Sequence, residues 1–166
     1  MPIKDYKILI TGLARNASKS IVGEVFTINA AFSCVKSVQW LVIESDSKDD
    51  TVTKLQNIKN QNKSFDFLTL GKLADIYAKR TQRLAHCRNI YLREIRENTK
   101  YSDVNFVAVV DLDGVNNLLT EAAVNSCWDR TDWAVCAANQ LGPYYDIWAL
   151  RHPIWSPNDC WEQCRF

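Results

Sequence analysis

The sequence predicts an α/β domain, a mostly parallel sheet with helices on both faces. Three observations carry this. Apolar runs alternate with stretches of helical periodicity, the pattern of βαβ units. The runs are nearly continuous rather than alternating polar and apolar, as suits strands covered on both sides. Polar and acidic residues gather just past the ends of those runs, where open parallel sheets bind ligands.

The elements follow in order. "YKILITG" (6–12) is an apolar run ending in glycine and reads as the first strand. "LARNAS" (13–18) is a polar turn, with Asn16 and Ser18 as candidate N-caps for a helix in "KSIVGEVFTINAAF" (19–32). "VQWLVIES" (38–45) is a second strand that stops in acidic and polar residues. "DSKDDTVTKLQNIKNQN" (46–62) is a charged loop leading into a polar surface helix, and "FDFLTLG" (65–71) a short third strand. "LADIYAKRTQRLAHCRNIYLREIREN" (73–98) has long helical periodicity, with basic and apolar residues on different faces. "VNFVAVVD" (104–111) is the most hydrophobic strand. "NLLTEAAVNSCW" (117–128) reads as helix and "WAVCAANQ" (133–140) as another buried strand. With no repeat, low-complexity tract or linker, residues 1–166 are expected to form a single domain.

Composition narrows the function. The chain has 20 Lys and Arg against 19 Asp and Glu, a net charge of +1, which argues against a generic polyanion binder and so against nucleic acid. No segment approaches the ~18 uninterrupted apolar residues of a membrane span. The first residues carry too short an apolar run for a signal peptide. A cytoplasmic protein without a membrane span is expected. The six cysteines show no pair with the two-residue gap of a zinc or redox motif, so they read as free, mostly buried thiols.

The informative stretch is "VNFVAVVDLDGVNN" (104–117), an apolar strand that ends in Asp111 and Asp113. Side chains alternate along a strand, so both carboxylates are expected on one side of its continuation. Two hard oxygen ligands suit Mg²⁺ or Mn²⁺, which complete their shell with water and substrate phosphates. The same letters also suit an Asx-turn and a helix cap. Neither familiar phosphate loop is present: there is no G-x-G-x-x-G after the first strand and no G-x-x-x-x-G-K-[ST]. Arg80, Arg83 and Arg88 can share one broad helix face and clamp a diphosphate, or simply form a solvated face.

Four stretches together resemble the GT-A glycosyltransferases: "DLDGVN" at a strand end, "ITGLARN" on the first strand, "ESDSKD" after the second and "RLAHCRNIYL" on the helix before the motif. The nearest likeness is to viral, fungal (capsule mannosyltransferase-like) and bacterial surface-glycan enzymes with "VVDLDG" followed by "YYDIWALR". It spans roughly residues 6 to 161. The resemblance implies a GT-A, Rossmann-like fold and a D-x-D motif. It implies a metal-dependent transfer, with Mn²⁺ or Mg²⁺, from a nucleotide-diphosphate sugar donor to a glycan acceptor.

Carried over by position, the likeness assigns Thr11, Gly12, Ala14 and Arg15 to the nucleotide base. Glu44, Ser45 and Asp46 fall to the base or ribose, and Arg83 and Arg88 to the diphosphate or donor sugar. Asp111 would meet ribose or the metal's water shell, with Leu112 between it and Asp113, the more direct metal ligand. Asn139 and Gln140 would face the donor sugar or acceptor. Asp146, in "PYYDIWALR", would be the acceptor-side base of an inverting mechanism. His152 is the poorly matching candidate for a late metal ligand.

One departure stands out. Only about fifty residues follow D-x-D, few for the acceptor half of such a domain. The expectation is a minimal acceptor site, one completed by a partner chain or a second copy, or one lost by truncation at the C-terminus. The rival functions are a sugar-nucleotide nucleotidyltransferase, for which "TGLARNAS" is a poor glycine-rich loop, and a non-catalytic sugar- or nucleotide-binding domain of a glycan-assembly complex.

Overall fold

A computed structural model describes residues 3–130, 132–138 and 154. The chain divides into two units, Met1–Thr131 and Asp132–Phe166. The first unit holds a four-stranded, all-parallel sheet: β1 (Lys7–Ala14), β2 (Ser37–Glu44), β3 (Phe65–Thr69) and β4 (Phe106–Asp111), in the order β3-β2-β1-β4. Helices connect them: α1 (Ile21–Ala31) between β1 and β2, α2 (Thr51–Gln61) between β2 and β3, α3 (Arg80–Glu97) between β3 and β4. A short α4 (Glu121–Ser126) follows. The fold is Rossmann-like α/β, as the alternation of elements requires.

The sheet has helices on both faces for a topological reason. The chain steps outward from β1 to β2 to β3, then crosses back to lay β4 on the far side of β1. Parallel crossovers keep one hand, so a reversal of direction moves the connecting helix to the other face. One core layer gathers Ile8, Ile10, Trp40, Val42 and Phe65 under Ile21, Val25 and Ile28 of α1 and Leu55 of α2. The other gathers Leu9, Leu41 and Ile43 under Cys87 and Tyr91 of α3.

Several expectations needed correction. The long helix expected over 73–98 breaks into a 3-10 turn at Leu73–Asp75 and then α3, with Lys79 extended. The Arg83 guanidinium explains the break. Its Nη1 donates to the carbonyls of Tyr77 (2.7 Å) and Ala78 (2.8 Å), groups that a continuous helix would have used internally. The helix expected over 117–128 shrinks to α4, which starts at a true cap: Thr120 Oγ1 accepts from the Ala123 N–H at 3.2 Å. Neither Asn16 nor Ser18 caps α1. The helix begins one turn later, behind Ser20.

β1 and β2 are buried on both faces as expected, but β4 is not. Phe106, Ala108 and Val110 turn inward, whereas Val107 and Val109 are exposed. "WAVCAANQ" does not form the expected strand over 133–138, where Val135 is exposed; 139–140 lie outside the described residues. An apolar run alone does not supply a pairing partner. Of the four described cysteines only Cys87 is buried, so mostly buried thiols is also corrected. No described helix is long and apolar enough to cross a membrane.

Candidate functional site

All four strands bring their carboxyl ends to the same side of the sheet. Each of the four loops leaving that side holds one residue in the left-handed region: Asn16 (φ 51°), Asp46 (φ 60°), Gly71 (φ 64°) and Gly114 (φ 101°). Such backbone is uncommon for Asn and Asp and favours a sharp turn. The strand order reverses between β1 and β4, and open α/β sheets bind ligands outside the carboxyl ends at that crevice. Residues 15–20 and 112–120 flank it.

The β4 side of the crevice carries the D-x-D. Inward–outward alternation runs on past the last strand residue, so Leu112 is buried while Asp111 and Asp113 are exposed, as Val107 and Val109 are before them. Leu112 joins the core under α1 and α2. Gly12 makes room for it. A Cβ on Gly12 would come within 2.5 Å of the Val110 carbonyl and 3.1 Å of Leu112 Cδ1.

The loop is then tied to α1. Ser20 Oγ donates to the Leu112 carbonyl at 2.9 Å. Asn116 Nδ2 donates to the Asp111 carbonyl at 2.6 Å and also to Glu24 Oε2, and the Asn116 N–H reaches Glu24 Oε1 at 3.4 Å. Glu24 is itself buried on α1.

These ties bear on the two readings of the aspartates. A turn-forming Asp accepts a nearby backbone N–H. Here Asn116 closes the turn and Leu112 anchors it. Among the described residues neither the Asp111 nor the Asp113 carboxylate has a hydrogen bond or ion pair. The loop is held by its neighbours, and its two acids face outward unused.

The other expected site residues divide sharply. Arg15 is exposed in the β1 loop and Arg80 and Arg88 are exposed on α3, none with a partner among the described residues. Thr11 and Gly12 lie within β1 instead of at its end; Thr11 is fully buried and its hydroxyl donates to the Leu41 carbonyl at 2.8 Å. Ala14, the last residue of β1, is buried.

Glu44 is buried, with Oε1 accepting from the Ser47 N–H at 3.0 Å and Oε2 from the Thr69 hydroxyl. Ser45 is buried, its Oγ 3.7 Å from Cys87 Sγ. Burial raises the Cys87 thiol pKa above its ordinary value, despite the hydrogen bond from Ser45. Asp46 accepts from the Ala74 N–H at 2.8 Å and sits 3.9 Å from Arg83 Nε.

Arg83 is thus committed to Asp46, Tyr77 and Ala78 and does not share a free face with Arg80 and Arg88. Glu44 and Arg83 brace the loops after β2 and β3. His86 packs beside Tyr77, with Nδ1 3.3 Å from its hydroxyl. Asn139, Gln140, Asp146 and His152 lie outside the described residues.

The loops after β1 and β2 are stitched to each other. The Asn16 N–H donates to Ser47 Oγ at 3.0 Å, and Asn16 Oδ1 accepts from the Lys48 N–H at 2.8 Å. The Ala17 N–H donates to Thr51 Oγ1 at 2.8 Å, and the Ser18 N–H to Asp49 Oδ2 at 3.1 Å. Hydrogen bonds from Thr51 and then Ser18 hold the Asp49 carboxyl well below the usual carboxylate range.

Glu24, Ser20 and Asn116 were not singled out from sequence. Glu24 did leave a signal: it is a lone acid inside the apolar stripe of α1, beside Ile21, Val25 and Ile28. Compared with known proteins, the chain matches no protein-family model and no curated protein.

Proposed function

We propose that this protein is a metal-dependent glycosyltransferase that moves a sugar from a nucleotide-diphosphate sugar to a glycan acceptor. One observation carries the reading: two unpaired, exposed carboxylates, Asp111 and Asp113, on a braced loop at the topological switch point. A solvated turn does not need that bracing. The pair fits a small, hard divalent cation, which needs one or two carboxylates and takes its other ligands from water and phosphate. Asp113 and Asp111 would hold Mn²⁺ or Mg²⁺.

Bound there, the cation would neutralise charge on the departing nucleoside diphosphate. Arg15 supports the reading as an unpaired cation in the facing loop, able to meet a phosphate or base. Arg88, also unpaired, remains a candidate for the diphosphate. Asp146 is retained from the sequence as the candidate base for the acceptor hydroxyl.

The test is donor turnover. The chain is incubated with Mn²⁺ and UDP-, GDP-, CDP- and ADP-sugars, and the released nucleoside diphosphate is measured. The reading expects release from one donor class, lost in Asp113→Ala. Pyrophosphate release from a nucleoside triphosphate plus a sugar phosphate would instead make the protein a nucleotidyltransferase. Donor binding without release would make it a non-catalytic binding domain.

A further inference from the structure

We infer that Glu24 and Asn116 form a clamp that positions the metal-binding loop, with Glu24 acting on the metal site without touching it. The inference rests on the reading of Asp111 and Asp113 as cation ligands.

The argument starts from a cost. Glu24 is 5% exposed on α1, and a buried carboxylate is expensive unless it is well bonded. Its partners among the described residues are the side-chain amide and the backbone N–H of Asn116, and it forms no ion pair among them. A helix that only needed to pack here would do as well with an apolar residue. What an acid adds is direction. It accepts twice and never donates, so it fixes which end of the Asn116 amide faces it.

With the Nδ2 end turned to Glu24, the same nitrogen reaches the Asp111 carbonyl at 2.6 Å. That bond joins the residue before Leu112 to the far side of the Gly114 turn, so Asp111 and Asp113 are held from both flanks. Ser20, the N-cap of that helix and one turn before Glu24, secures the Leu112 carbonyl between them at 2.9 Å. α1 and its N-cap therefore grip the loop at two points four residues apart. Residues that orient metal ligands in this way typically change metal affinity by roughly 10–100-fold when altered.

Glu24→Gln makes the sharpest test. It keeps size and shape but lets a donor face the Asn116 amide, so one of the two contacts is lost or Asn116 turns over. Asn116→Ala removes the clamp from the loop side and leaves the helix untouched. Mn²⁺ binding to the full chain is measured by electron paramagnetic resonance, alone and with each of UDP, GDP, CDP and ADP. The thermal midpoint without metal is read in parallel.

The expected result is Mn²⁺ affinity about tenfold weaker or worse in both variants, with both still folded without metal, a lowered midpoint in Asn116→Ala because Glu24 is left buried without its partners, and binding abolished in Asp113→Ala. Unchanged affinity in folded Asn116→Ala, with Asp113→Ala still inactive, overturns the clamp and leaves the proposed function standing. Absence of Mn²⁺ binding by the parent chain overturns both. If Glu24→Gln does not fold, Asn116→Ala and Ser20→Ala carry the same decision.

Discussion

The amino and carboxyl ends of the sheet leave their strands in opposite ways. At the amino end, rings pack against rings: Tyr6 meets Phe106 edge-on at 4.9 Å, and Trp128 lies 5.6 Å from Phe106 and 6.0 Å from Tyr6. Lys7 there pairs with Asp103, and backbone groups close on one another, as when the Asn105 N–H donates to the Lys7 carbonyl at 2.9 Å. At the carboxyl end all four loops carry a left-handed residue, and one presents two unpaired acids. Backbone strain and unspent charge concentrate where a protein does something other than fold. The amino end serves stability, and the carboxyl end is the face where the proposed function puts its ligand.

The comparison can be broken by substitution. Leu112→Ala is expected to have the largest effect, about 2–5 kcal/mol of lost stability, because Leu112 is core although it sits between two surface acids. Chemical denaturation measures it. Gly12→Ala comes next, at about 1–3 kcal/mol, since the new Cβ would press on the Val110 carbonyl, a backbone atom that cannot swing away. Both should also displace the D-x-D loop, so any Mn²⁺ binding should weaken with them.

Acid should act next, at both ends. Hydrogen bonds from Thr51 and Ser18 depress the Asp49 pKa in the folded chain. A depressed folded pKa gives stability that is complete above the ordinary value of about 3.9 and is lost as pH falls through the folded value. The thermal midpoint should therefore drop on going from about pH 6 to about pH 3, and less steeply in Asp49→Asn. Lys7 depresses the Asp103 pKa at the amino end in the same sense, so Asp103→Asn should also flatten the profile.

The smallest effect is the most telling. Asp111→Asn and Asp113→Asn should change metal-free stability by no more than about 0.5 kcal/mol, because neither carboxylate holds the fold.

Much of this architecture was legible in the sequence. β1, β2, β3, α1 and α2 appear within a few residues of where periodicity puts them, because strand and helix periods differ even in the short β3 and the polar α2. α3 began late because Arg83 reaches back to two carbonyls, a contact between side chain and backbone that periodicity does not encode. The site was legible in part. Asp111 and Asp113 stand out because acids after an apolar strand are hard to explain otherwise, and the alternation that carried Leu112 inward also carried them outward. Glu44 and Arg83 looked equally functional, since an acid at a strand end and an arginine on a helix are what a site looks like in one dimension. Only their partners, Thr69 and Ser47 for one and Asp46, Tyr77 and Ala78 for the other, show them to be braces. Gly12 was placed on a nucleotide base, yet its role is to let Leu112 approach β1.

The central claim, that the carboxyl end is a ligand site built on Asp111 and Asp113, is tested most directly by a thermal-shift comparison. UDP, GDP, CDP and ADP are each added with and without Mn²⁺ to the parent chain and to Asp113→Ala. A ligand that binds only the folded state stabilises it by about 2.7 kcal/mol at a hundredfold excess over its dissociation constant. The account predicts a Mn²⁺-dependent rise in midpoint with one nucleotide, absent in Asp113→Ala, while the two metal-free midpoints coincide. A parent chain that shifts with none of the four, or a shift that survives the substitution, would contradict it.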